Sequence, residues 1–418
     1  MSKANENEPH FPFCTNHRWS PHGLAGLECW CSWVCGPAIR DHNVRSTASP
    51  DPCSLFHIGL LHGLYGRTSM GCGGLFDGRM LKAAFLWFLL QCILTTAWII
   101  LKKGRTQFRH ILLQVVGTLF ITIFVPPYAL LGIANPMTAS GYYFPASGYW
   151  GIGLYILLIC TAAYLLANSS SEKIRERKQA QFLLGIILTF AIVLNGRNHF
   201  KNGLSNVPSG WAGINTHLGR FPADNYQIIF ERHLELKVFA EEEIRRGKKV
   251  IIFPESVAGI LTNTGKNLWL DIDLLAKRQD AHILLGGYLP VSPSIYDNAL
   301  FVIGKDIPGL SKALTARISM PVTNWRPLLK PSASIHIGPA HDGVFTIKDQ
   351  SAAFLICYEQ VLVWPLLQSM AGRQKINLIV AVSNIWWAKD TKIPDIMDRI
   401  CRVWGRLFNI SVLRIVNI

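Results

Sequence analysis

Two residues stand where a strand would deliver them to chemistry. Glu255 directly follows the apolar run VIIFP, and Cys357 directly follows AAFLI. Behind the cysteine comes YEQVLVWPLLQSMAG, a stretch with helical character. A side chain at a strand-to-helix turn is held rigidly at a sheet edge, and the start of the following helix is expected to lower the thiol pKa. A thiolate made this way attacks carbonyl carbon, while a carboxylate takes and returns the proton. Spacing alone leaves the plain alternative open. A cysteine ending an apolar strand is commonly a core residue, and a strand-end glutamate is commonly solvated.

The other cysteines offer no rival centre. Of ten, six precede residue 73, Cys92 and Cys160 fall in apolar segments, and Cys401 is the only companion of Cys357 in the C-terminal half. Cys29, Cys31 and Cys35 lie too close together, without a second pair, to read as a zinc site. Neither a metal nor a cofactor is implied.

Strands and helices that could position the pair follow in alternation. Residues 226–247 repeat Ile228, Phe230, Leu234, Leu236, Val238 and Phe239 at helical spacing. Short β-branched runs at 250–253, 282–286, 299–303, 352–356 and 377–383 read as buried strands. Helical stretches are expected at about 269–278, 358–371 and 394–408. Such alternation predicts a layered α/β domain over residues 205–418.

Upstream the composition changes. Half of the 418 residues are hydrophobic, and the apolar ones concentrate between about 83 and 196. Four segments can be drawn there, Ala83–Leu101, Ile111–Ile133 (broken by Pro126 and Pro127), Tyr149–Ala167 and Phe182–Leu194. The first three approach the roughly 20 residues that cross a bilayer core, and the fourth is short enough to be interfacial. A transmembrane region over 81–196 is therefore expected. None of the segments carries Asp, Glu, Lys or Arg in its middle, which argues against a channel.

Net charge is +15, but much of the excess flanks these segments, as Lys102, Lys103, Arg105 and Arg109, then Lys173, Arg175, Arg177 and Lys178. That placement is explained by topology, so no direct nucleic-acid binding is expected. The positive-inside rule puts the basic loops in the cytoplasm and the uncharged 134–148 loop outside. Everything after Asn195 is then periplasmic, on a multi-pass protein of the bacterial inner membrane. The same topology leaves the N-terminus outside, unless a further span lies within 54–75. Residues 1–80 show no period and no signal-peptide pattern; they read as an N-terminal extension, or as upstream translation if Met80 is the true start.

Five motifs in order carry a family resemblance. FPES (253–256), YDNALFVIGKD (296–306), RISMPV (317–322), LICYE (355–359) and VSNIWWA (382–388) resemble the signatures of the carbon–nitrogen hydrolase, or nitrilase, superfamily. LICYE followed by Ser-Asn-x-x-Trp is most similar to the branch of apolipoprotein N-acyltransferases. Within it, GWAGINTHLGRF (210–221) and PESVAGILT (254–262) resemble the conjugal-transfer TraB family of Agrobacterium-type plasmids. The resemblance covers residues 210–418 and implies an α-β-β-α sandwich with a Glu-Lys-Cys triad. Glu255 would be the general base and acid, Cys357 the acylated nucleophile and Glu359 a supporting glutamate. Asn384 and Trp387 would line the pocket, although core packing explains Trp387 equally well.

The chain departs from that pattern at the lysine. Its place falls on Ala316, with Arg317 one residue later and Lys312 further back. Arg317 could supply charge to an oxyanion but cannot shuttle a proton. Two acidic positions are also replaced, by Asn324 and Ile385. The chain ends at VLRIVNI (412–418), where family members continue, so a C-terminally truncated domain is expected.

The resemblance implies a membrane-bound amidase or N-acyltransferase that works through a cysteine thioester and assists plasmid conjugal transfer. A membrane lipid or lipoprotein would be acyl donor or acceptor, and the conjugation machinery a partner. The competing expectation is a catalytically weakened scaffold of that machinery.

Overall fold

Apolar runs set the first three long helices among the described residues. In the computed structural model they are α1 (Phe108–Phe124), α2 (Gly148–Ala167) and α3 (Ile174–Phe200). The structure describes residues 107–131, 135–168, 174–200, 207–222, 225–305, 307, 310–321, 332–333, 343–347, 350–372 and 374–418. The extension 1–80, the first apolar segment and Asn324 lie outside these residues. Among the described residues, two helices are long and apolar enough to cross a membrane, Gly148–Ala167 and Ile174–Arg197.

Two expected boundaries move. The second segment is not one span to Ile133. Its helix stops at Phe124, Val125 turns extended, and a separate turn follows at Tyr128–Leu131. Pro126 and Pro127 are the cause, since a proline lacks the N–H a helix needs and holds the residue before it extended. The fourth segment is longer than its apolar core, because the charged residues 175–178 are good helix formers and join its first turns.

The ends of these helices meet the rest of the chain on one side. Between α1 and α2, the helical turns Pro136–Ala139 and Ser140–Tyr143 pack closely on the later helix Ile393–Phe408. Gly141 lies so near that a Cβ would sit 2.1 Å from the Val403 carbonyl oxygen. Ala146 N donates to Arg406 O at 2.8 Å, Asn195 near the end of α3 donates to Tyr143 O at 3.1 Å, and Arg406 donates to Asn195.

The longer helices that follow among the described residues are α4 (Tyr226–Arg245), α5 (Leu270–Arg278), α6 (Trp364–Ala371) and α7 (Ile393–Phe408). The strands form two sheets. The first runs β1 (Trp211–Gly213), β2 (Val250–Ile252), β3 (His282–Ser292), β4 (Ile295–Gly304), β5 (Lys312–Thr315), with β6 (Ser332–Ala333) beside the start of β4. The second contains β7 (Val344–Ile347), β8 (Gln350–Ile356), β9 (Leu378–Asn384) and β10 (Ser411–Asn417), in the order β10-β9-β8-β7.

Strand alternation then builds four layers. Val250, Ile252, Leu284, Leu300 and Val302 of the first sheet meet Ala352, Phe354, Ile356, Leu378, Val380 and Val382 of the second. Their neighbours point outward. Ile251, Ile283, Leu285, Phe301 and Ile303 pack under α4 and α5, through Leu236, Ala240, Ile272 and Ala276. On the far side Ala353, Leu355, Ile379 and Ala381 pack against α6 and α7, and that core continues into α1, α2 and α3. The order is helix, sheet, sheet, helix. Trp404 of α7 is fully buried in the outer layer, where truncation to alanine costs about 3–5 kcal/mol.

One expected helix is interrupted. Residues 358–371 are not continuous: a 3-10 turn covers Cys357–Val361, and α6 begins only at Trp364. Pro365 sits in the first turn of α6, where its ring is tolerated, and its bulk blocks a helix arriving from upstream.

Candidate active site

The inner faces of the strands change character at one level. Moving along β3, Leu284 gives way to Gly286 and Tyr288; the facing positions of β4 are Val302, Leu300 and Asn298. On β9, Val382 gives way to Asn384, the last residue of the strand. Glu255 follows β2 by three residues, and Cys357 directly follows β8. The polar cluster thus sits where the apolar space between the sheets ends.

Glu255 and Cys357 meet there. Glu255 is 3% exposed, and the Cys357 thiol lies beside its carboxylate, near enough for each group to shift the pKa of the other. The other partners of Glu255 are the Asn298 Nδ2 group, donating to Oε1 at 2.5 Å, and the Asn384 N–H, donating to Oε2 at 2.7 Å. Both turns are unusual in backbone. Cys357 has φ +52° and Ser256 has φ +54°, a left-handed region that costs non-glycine residues energy and recurs at functional sites. Gly286 lets the Glu255 turn come in, since a Cβ there would lie 1.8 Å from Pro254 O.

The electrostatics correct one expectation. The thiol pKa is not lowered but raised well above its ordinary value, first by burial and then by the Glu255 carboxylate. The short 3-10 turn replaces the long helix whose dipole would have opposed this, leaving the N–H groups of Tyr358 and Asn384 as the stabilising contacts. Burial also raises Glu255, against the contacts with Cys357, Asn384 and Asn298, with Glu359 adding to the rise. The rise favours the neutral thiol, with the Glu255 carboxyl group beside it as the place for its proton to go.

Arg317 is placed away from the role of oxyanion cation. Nε donates to Glu359 Oε1 at 3.2 Å, Nη1 to Pro365 O at 2.7 Å and Ser369 Oγ at 3.0 Å, and Nη2 to Phe354 O at 3.0 Å and Glu359 Oε2 at 3.2 Å. A guanidinium has five N–H donors, and all are spent. Glu359 is likewise turned toward structure, because its Oε1 accepts from Arg317 N at 2.6 Å and its Oε2 from Ile356 N at 3.0 Å. The pair braces the backbone just before the thiol. Lys312 does not replace it. It lies opposite Val302, four residues from Asn298 along β4 and so about 13 Å away, with its ammonium 4.1 Å from the Phe345 ring centre. Among the described residues, the leading influences on Glu255 and Cys357 include no cation.

Asn384 does more than line a wall. Its Nδ2 donates to Ser256 Oγ at 2.9 Å, and its Oδ1 accepts from Asn417 Nδ2 at 2.8 Å. Asn417 Oδ1 in turn accepts from Thr216 Oγ1 and Leu218 N, both at 2.8 Å, so the 210–221 segment is tied to the site through β10. Trp387 is half-buried on the turn Trp386–Ala388, and Ile385 is buried. Sequence reasoning missed Asn298, Ser256, Asn417 and Tyr288. A polar residue interrupting an aliphatic inner-face row, as Asn298 does before Leu300 and Val302, was the available signal.

The thiol turn is also fastened to the apolar helices. Tyr358, the residue after Cys357, donates its hydroxyl to Leu130 O at 3.0 Å, and Trp364 Nε1 donates to Ala129 O at 3.1 Å. Among the described residues no cluster of His, Cys, Asp and Glu could hold a metal ion.

No family model matches the sequence. Among curated proteins the chain is similar to a probable conjugal transfer protein TraB of Sinorhizobium fredii, 28% identical over 344 residues, 81% of this chain and 80% of that one. It is also similar to the conjugal transfer protein TraB of Agrobacterium fabrum, 28% identical over 301 residues, 70% of this chain and 64% of the relative's length. Among solved structures it is similar to a nitrilase-superfamily amidase from Nesterenkonia sp. AN1, with a TM-score of 0.34 and 12% identity over 50% of this chain and 78% of that one.

Proposed function

We propose that this chain is a membrane-anchored acyl-transfer enzyme of nitrilase type that supports plasmid conjugal transfer. The observation that carries the reading is the Cys357 thiol placed beside the buried Glu255 carboxylate at a strained strand end. As Sγ bonds to the carbonyl carbon of a donor, its proton passes to Glu255 and the carbonyl π electrons move to oxygen. Collapse breaks the bond to the leaving group, which takes that proton and leaves a thioester on Cys357. Glu255 then deprotonates an incoming amine or water, completing N-acyl transfer or hydrolysis.

The membrane part of the reading rests on exposure and charge. Only 17% of the most apolar window of α3 is buried, unlike the core helix of a soluble protein, and 24 helical residues extend about 36 Å, enough for a bilayer core. The 135–148 turns and the end of α3 touch α7, while the basic stretch 169–178 joins the opposite helix ends. With basic loops in the cytoplasm, the Cys357 domain faces the periplasm of a multi-pass protein. Its thiol turn, bonded to the carbonyls of Ala129 and Leu130, then lies near the bilayer surface, suited to a lipid or lipoprotein acyl donor. The conjugation role follows the names of the TraB relatives.

A scaffold of the conjugation apparatus is the second reading, favoured by the commitment of Arg317 to Glu359. A mating assay separates the two. Donor cells lacking this gene are complemented with wild type or Cys357→Ala. Loss of transfer with Cys357→Ala, at normal protein level, supports the enzyme; full restoration overturns it.

A further inference from the structure

Resting on the acyl-transfer reading, we infer that the phenol of Tyr288 is the hydrogen-bond donor that stabilises the tetrahedral oxyanion on the Cys357 adduct. Tyr288 lies directly opposite Asn298 in the β3–β4 register, so their side chains share the inner face of the sheet. Asn298 uses that position to reach Glu255 at 2.5 Å. Gly286, two residues earlier on the same face, is the point where the Glu255 turn touches the strand.

Further contacts fix the phenol. Tyr288 N donates to Gly259 O at 2.8 Å and Leu261 N donates to Tyr288 O at 3.1 Å, pairing the strand with the loop that follows Glu255. Its ring stands edge-on to Tyr296 at 4.8 Å between centres, and its hydroxyl lies beside Ser256, the residue after Glu255. Burial, then the Glu255 charge, raises the phenol pKa, with Cys357 contributing in the same direction. The hydroxyl stays protonated over the working range and can donate.

The step needs no further reactant. The S–C bond forms, the thiol proton goes to Glu255, and the carbonyl π pair becomes the oxyanion. Tyr288 keeps its proton throughout and donates a hydrogen bond to that oxygen. A neutral donor in a desolvated site suffices for such a charge.

The test compares two reactions of the same sulfur in the full-length protein. Acylation by p-nitrophenyl hexanoate builds an oxyanion; alkylation by iodoacetamide displaces iodide and builds none. Both are followed by intact mass, with Cys357→Ala as the blank. Tyr288→Phe is expected to slow acylation about 100- to 1,000-fold, the usual effect of removing one oxyanion donor, while alkylation keeps its rate. Tyr296→Phe should leave both nearly unchanged. Acylation of Tyr288→Phe at the wild-type rate overturns the proposal, and so does an equal slowing of both reactions, which marks a packing role. If wild type gains no more acyl mass than Cys357→Ala, the thioester reading itself fails and this proposal falls with it.

Discussion

Arg317 and Glu359 are joined through both carboxylate oxygens, and both residues are almost completely removed from solvent. The pair sits one turn from the thiol and holds Ile356 N, so it sets where Cys357 stands without touching what Cys357 does. Breaking it strands a buried carboxylate. Arg317→Met should cost about 3–5 kcal/mol, whereas the double change with Glu359→Gln should be milder, because no unpaired charge remains. Urea unfolding of the detergent-solubilised protein measures both. Equal losses in the single and double variants would remove the ion pair from the account.

The thiol is held protonated by its burial and by Glu255. Alkylation of wild type by iodoacetamide should therefore be slow near pH 7 and rise only at alkaline pH. Glu255→Gln removes the carboxylate charge that disfavours thiolate, so its alkylation should begin at lower pH while acyl transfer is lost. Alkylation curves that coincide would show that the Glu255 charge does not hold the thiol protonated.

Asn298 donates to the charged form of Glu255. Replacing it with Leu should raise the carboxyl pKa further and move the acid limb of the pH–rate profile upward. Loss of a hydrogen bond to a charged group corresponds to a rate fall of about 10- to 100-fold. An unmoved limb with a lower plateau would assign Asn298 to packing instead.

Gly286→Ala places a Cβ 1.8 Å from Pro254 O, so the turn carrying Glu255 must retreat. About 1–3 kcal/mol of stability should be lost, as for other overpacked sites, with acyl transfer falling further than stability. Thermal unfolding and the acylation rate, measured together, decide this.

His233 is 3% exposed, accepts from Trp269 Nε1 at 3.1 Å, and has its pKa lowered to about 4, mainly by burial. The folded state favours neutral imidazole, so the stability it contributes is full above the unfolded value near 6.5 and is lost as pH falls toward 4. A loss of about 3 kcal/mol is expected across that window. His233→Gln, whose amide can still accept from Trp269, should flatten the slope. Identical slopes would refute the assignment.

Much of this arrangement was legible before the structure. The strands bearing Glu255 and Cys357 announced themselves by short β-branched runs, and α4, α5 and α7 by their apolar spacing. What period cannot convey is where a long-range bond ends. Arg317 carries the charge expected of an oxyanion donor, and only the fold reveals that Glu359, Pro365, Ser369 and Phe354 use all of it. The thiol pKa was misjudged for a similar reason. Its sign depends on burial and on Glu255, 102 positions earlier in the chain, rather than on the adjoining helix turn. Asn417 escaped because its partners, Thr216 and Asn384, come from distant segments.

The central claim is that Cys357 carries an acyl group delivered by Glu255-assisted attack. Incubating the purified protein with phospholipid in detergent micelles, then mapping peptides by mass, tests it most directly. The account predicts a fatty-acyl mass on the Cys357 peptide, released by neutral hydroxylamine and absent in Cys357→Ala and Glu255→Gln. No adduct on wild type, or one that persists in Cys357→Ala, would contradict it.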